Sequence, residues 1–191
     1  MNLRKLGSVA VAAAVVVGGV LTPASPASAY ALLGCKFSTP ALKWKDSTTT
    51  SGYASVATAS ANAWTNTSTP VSLTKVTSGA NITIANGNFG NSGYDGITLD
   101  GNQNNPSCGS SGLWSIGLVT WWNSYYTDGY SSAKRQSVMV HELGHALGLA
   151  HSSAGSCTNV PIMQPDTYTR YDVCRLTTPR AGDIDGVNFL Y

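Results

Sequence analysis

His141-Glu142-Leu143-Gly144-His145-Ala146-Leu147-Gly148-Leu149-Ala150-His151 holds all three histidines of the 191-residue chain and its only glutamate. Residues four apart lie one above the other on an α-helix, so His141 and His145 can offer two imidazole nitrogens to one ion. Glu142 lies beside that pair. Its carboxylate can reach a water at the ion without taking a ligand position, as a general base should. Position 149 is Leu, so the next helical turn supplies no third ligand. Gly148 can adopt the left-handed conformation that ends a helix and turns the chain, which brings His151 back to the same ion. Three neutral imidazoles with an open fourth position are the ligand set of a catalytic zinc.

The window reads His-Glu-x-x-His-x-x-Gly-x-x-His, and at these residues the chain resembles the metzincin metallopeptidases. Pro161-Ile162-Met163-Gln164-Pro165 stands where those proteins carry a methionine turn beneath the metal, and Ser152 follows the third histidine as in the matrixin branch. Within that branch the chain is similar to small secreted bacterial matrixin-like proteases. The resemblance implies an α+β, zincin-type fold, with a mixed twisted sheet, a zinc-binding active-site helix and a C-terminal helix. It also implies a zinc-dependent endopeptidase in which His141, His145 and His151 bind one Zn2+. Glu142 would act as general base toward a zinc-activated water, and Met163 would form a floor under the histidines. Pro165 occupies the place where other metzincins carry a tyrosine, which leaves Tyr168 and Tyr171 as candidates for pocket walls.

Residues 1–29 read as a secretory signal: Arg4 and Lys5, the apolar run Val9 to Leu21, then Ala27-Ser28-Ala29 as cleavage site. Residues 30–191 would form one secreted, extracellular catalytic domain, read as a monomer. The formal charge of +2 belongs to Arg4 and Lys5, so the remainder is balanced. No basic stripe suggests nucleic acid or membrane as a partner, and a protein or peptide substrate is expected. Export favours disulfides among Cys35, Cys108, Cys157 and Cys174. Of three pairings, Cys157 with Cys174 is preferred because it closes the segment carrying Met163, leaving Cys35 with Cys108. As an alternative, Cys35 alone precedes the first strand and is placed to ligate the zinc in a latent form.

Leu42 to Lys45 reads as a first strand. Tyr53, Val56, Ala57, Ser60, Ala63 and Trp64 mark one face of a helix that Thr69-Pro70 stops. Val71 to Val76 and Asn81 to Ala85 alternate as strands do, and Gly96 to Leu99 and Ile116 to Trp122 are further candidates. The motif helix is expected from Ser131 or Ser132 to Leu147, loop from Ala150 to Thr177, and a last helix opened by Thr178 as cap and Pro179. In that helix Ile184, Val187 and Tyr191 give the apolar face. Most of Trp114, Trp121, Trp122, Tyr125, Tyr126 and Tyr130 read as core, although Trp121 and Trp122 must face opposite ways on a strand, which offers one of them to the cleft. Asp95 and Asp100 are conceivable calcium ligands, although Asp-Gly pairs mark turns more often. Competing functions are a non-catalytic binding or inhibitory module with a structural zinc, and a zinc amidase acting on cell-wall material.

Overall fold

The computed structural model describes residues 30–191, so the secretory signal read at 1–29 lies outside the described residues. Five strands form the main sheet: β2 (Ala41–Ser47), β3 (Ser72–Lys75), β4 (Ile82–Gly87), β5 (Gly96–Asp100) and β6 (Leu118–Asn123). Their order is β3-β2-β4-β6-β5. β2 pairs in parallel with β3 and β4, and β4 with β6, whereas β5 runs antiparallel on the edge. Inward-facing Leu42, Trp44, Ile82, Ile84, Leu118 and Trp122 are buried under two helices, α1 (Ser51–Thr65) and α3 (Ser132–Leu147). The predicted strands all occur, with no end moved by more than two residues.

Along α1 the inward positions are Tyr53, Val56, Ala57, Ser60, Ala61 and Trp64, so Ala61 takes the place expected for Ala63. Trp64 crosses to α3, where its indole N–H donates to Val140 O at 2.9 Å. Burying so large a side chain is favourable only because that polar group finds a partner. α3 is capped at its start by Ser131, whose hydroxyl accepts from Lys134 N at 3.2 Å, and at its end by Gly148 with φ of 106°. Gly148 serves the turn in a second way, because Cys35 O and Leu190 pack where a Cβ would stand.

Three expectations are corrected. A two-residue strand β7 (Leu149–Ala150) pairs antiparallel with β1 (Ala31–Leu32), at sites too short for any alternation to show. Within the segment read as loop, Tyr168–Val173 forms a π-helix, opened by the Asp166 carboxylate, which accepts from Thr169 N and Thr169 Oγ1. The last helix, α4 after a short α2 (Ser124–Thr127), spans Ala181–Leu190, not a span opened by Thr178 and Pro179. Its start is set by Asp183, which accepts from Arg180 N at 2.7 Å.

Disulfides join Cys35 to Cys108 and Cys157 to Cys174, and no described cysteine is free. The paired Cys35 therefore has no thiol to offer a metal. Cys157 and Cys174 are 17 residues apart and flank Met163. Replacing both by alanine should cost roughly 3 kcal/mol by the chain-entropy argument. Denaturant unfolding checks this, and an unchanged midpoint would contradict it. No described helix is long and apolar enough to cross a membrane.

Candidate active site

α3 carries His141, Glu142 and His145 on one face, and the Gly148 turn returns His151 to it. The three Nε2 atoms stand 3.1, 3.1 and 3.2 Å apart. Ligands around a tetrahedral zinc at about 2.0–2.1 Å are separated by little more than this, so the triangle fits such an ion. The opposite side of two rings fixes their tautomer. His141 Nδ1 donates to Ile162 O and His145 Nδ1 to Leu149 O, each at 2.8 Å, which leaves both Nε2 lone pairs facing the centre. Without a cation, three lone pairs at this distance would repel one another. Among the described residues these histidines form the one group of three His, Cys, Asp or Glu able to hold a metal ion.

Burial, then the Arg170 charge and the neighbouring imidazoles, holds His141 well below the usual histidine range. Burial chiefly takes His145 down to about 4, and burial followed by Arg170 lowers His151. Neutral rings are thus the folded form. In metal-free protein, depressed values mean stability that is full above the ordinary 6.5 and lost as pH falls through the folded values. Chelated protein should therefore lose thermal stability from about pH 6.5 toward about 4, more steeply than a variant with the three histidines replaced by glutamine. Parallel melting curves would contradict this.

Glu142 is only 4% exposed. Thr98 Oγ1 on β5 lies 2.9 Å from its Oε2, while Gly96 leaves Oε1 room that a Cβ would fill. Burial raises the carboxyl to about 8 in the absence of metal; a dication nearby favours the carboxylate and pulls this down. Met163 packs beneath Gly144, under the histidines. Its turn hangs from Asp183 on α4, whose carboxylate accepts from Ile162 N at 2.8 Å and Met163 N at 3.2 Å. Because Ile162 O receives His141, the carboxylate, the turn and the imidazole form one continuous chain of hydrogen bonds.

The histidines open into a cavity of about 970 Å³ between β5, α3 and the π-helix. Tyr168 lines it as expected. Tyr171 does not; it turns to Ser131 at the start of α3, with the Arg175 guanidinium over its ring. The tryptophan expected near the cleft is likewise corrected. Trp122 is in the core, with its N–H on Arg135 O, and Trp121 packs edge-on against Phe89 on the far face of the sheet. Trp114, Tyr126 and Tyr130 line the cavity instead. Asp95 is occupied by Tyr130 and Thr167 hydroxyls at 3.2 Å, and Asp100 by Asn102 N and Asn104 N at 2.8 Å, so Asp100 serves a turn.

Arg170 on the π-helix is the residue that sequence reasoning missed. It is 1% exposed, and its guanidinium donates to Ser137 Oγ on α3, to Gln164 O and to Thr167 Oγ1. Nη1 stands 3.3 Å from His141 Nδ1. As that nitrogen already donates to Ile162 O, the contact sets donor against donor and holds the imidazole between two fixed neighbours.

A three-histidine cluster on a helix and its terminal turn, a methionine turn below and a mixed sheet with an antiparallel edge define the metzincin class. The matrixin peptidase family matches residues 40–191, and the chain belongs to it. No curated protein matches. Among solved structures it is similar to that of myroilysin, with 20% identity over 63% of this chain, 54% of that one and a TM-score of 0.44. This chain thus spans about half the length of the myroilysin chain.

Proposed function

We propose that the protein is a secreted zinc endopeptidase, with His141, His145 and His151 as ligands and Glu142 as general base. The observation that carries this reading is Glu142: a buried carboxylate beside three converging imidazoles, outside the ligand set, with one oxygen free. A purely structural metal site needs no such group. Zinc, when bound, supplies Lewis acidity toward a carbonyl oxygen and toward water. Glu142 takes a proton from the attacking water at Oε1, while Thr98 holds Oε2 and keeps the carboxylate from rotating away. The same oxygen then delivers the proton to the departing amine. β5 is hydrogen-bonded on one side only, so an extended peptide can add to its free edge beside Glu142. The cavity continues past the histidines both toward Pro106 and toward Arg170, which suits cleavage within a chain. Two disulfides and the leader-like residues 1–29 support export.

Purified protein incubated with a complex peptide mixture should produce internal cleavages that a zinc chelator abolishes and added Zn2+ restores. Trimming of terminal residues alone would exclude the endopeptidase reading, and chelator-resistant cleavage would exclude the metal.

A further inference from the structure

The family match begins at residue 40, but the wall of the cleft begins earlier in the chain. Residues 30–37 form an arm across the C-terminal end of α3. β1 in this arm pairs with β7, next to His151, and Leu33 N donates to Gly148 O at 2.8 Å. Farther on, Cys35 is bonded to Cys108, Lys36 N donates to Gly112 O at 3.0 Å, and Trp114 N donates to Lys36 O at 2.9 Å. The arm is thus fastened to the end of the motif helix and to the loop at 101–117. Between these fastenings stands Leu33, 45% exposed, in the same cavity as the three histidines. Single exposed leucines are ordinary. This one is part of a concave wall with Pro106 and Trp114, and the backbone behind it is held by a strand pair and a disulfide.

Topology gives the side of the cleft. β5 runs from Gly96 to Asp100, and the chain turns there, with Asp100 N on Asn104 O, to bring Asn105 and Pro106 to that end. Antiparallel pairs outnumber parallel ones roughly two- to three-fold, and a peptide added antiparallel to the free edge of β5 passes Leu33 and Pro106 with the residues before its scissile bond and Asp95 with those after it.

We infer that Leu33, Pro106 and Trp114 form a subsite for an apolar substrate side chain on the amino side of the scissile bond, held in shape by the Cys35–Cys108 disulfide. The inference rests on the peptidase reading, so its test reads binding, not turnover. Three octapeptides are titrated into zinc-loaded Glu142→Ala protein: one alanine-rich, one with leucines in its amino half, one with leucines in its carboxyl half. Leucines in the amino half should tighten binding about fivefold over alanine, the worth of half-burying one such pair of side chains. Leu33→Asn should remove that preference and spare the ratio for the carboxyl-half peptide, and Leu33→Met should keep both. Replacing Cys35 and Cys108 together by serine should weaken the amino-half preference in the same direction. Failure of every peptide to bind, or an amino-half preference that survives Leu33→Asn, overturns the inference. A protein that binds in the expected pattern yet, with Glu142 intact, cleaves nothing would refute the peptidase reading and leave the subsite standing.

Discussion

Glu142→Ala is expected to keep its zinc and lose peptide hydrolysis by about 10²- to 10⁴-fold, the usual worth of a positioned base. The carboxylate touches Thr98 and the space above Gly96, not the triangle of imidazole nitrogens, so its removal leaves the ligand set intact. His145→Ala should behave differently. It removes one of three ligands, and metal binding is in part folding free energy, so metal content, activity and stability should fall together. The two variants must agree in lost activity and differ in bound zinc, measured by elemental analysis beside peptide turnover. Wild-type turnover by Glu142→Ala would sink the mechanism.

Asp183→Ala should be among the most damaging substitutions remote from the cleft. Its carboxylate accepts from Ile162 N and Met163 N, both deep in the core, and from Arg180 N. Burial pushes the carboxyl above its ordinary value, and the three N–H groups oppose that shift. Alanine would leave two buried donors unpaired at about 1–3 kcal/mol each. With Ile162 released, His141 loses its fixed acceptor, and zinc affinity should drop by about 10- to 100-fold. Denaturant unfolding of the chelated protein and competition for zinc in the loaded one separate the two effects. Normal zinc affinity despite lost stability would show that the turn holds His141 without α4.

The clustering of the three histidines and the glutamate was legible because their spacing is short-range and follows the geometry of a helix and its terminal turn, whereas the methionine turn was legible only through the resemblance to metzincins. Main-sheet strands were legible through alternation, as at Asn81 to Ala85. Other features depend on distant partners. β1 and β7 are two residues each and exist only because Gly148 turns the chain against Cys35. The π-helix has no apolar period, since its one buried side chain is Arg170. A lone arginine in a polar stretch carries no sign that Ser137, Gln164 and Thr167 will surround it. Asp183 likewise gave no sign of its role: a charged residue beside Ile184 has no local reason to be buried, and only the turn at Ile162 and Met163 explains its burial.

The order in which these parts appear along the chain bears on synthesis. A ribosome completes His151 32 residues before Asp183, an interval of a few seconds at roughly 5–20 residues per second. During that time the imidazoles exist but the turn beneath them has nothing to hang from. The support under His141 is therefore the last part of the site to be made. A product cut short between Met163 and Asp183 would carry the three imidazoles above a turn without that anchor, and its metal affinity should fall at least as far as that of Asp183→Ala.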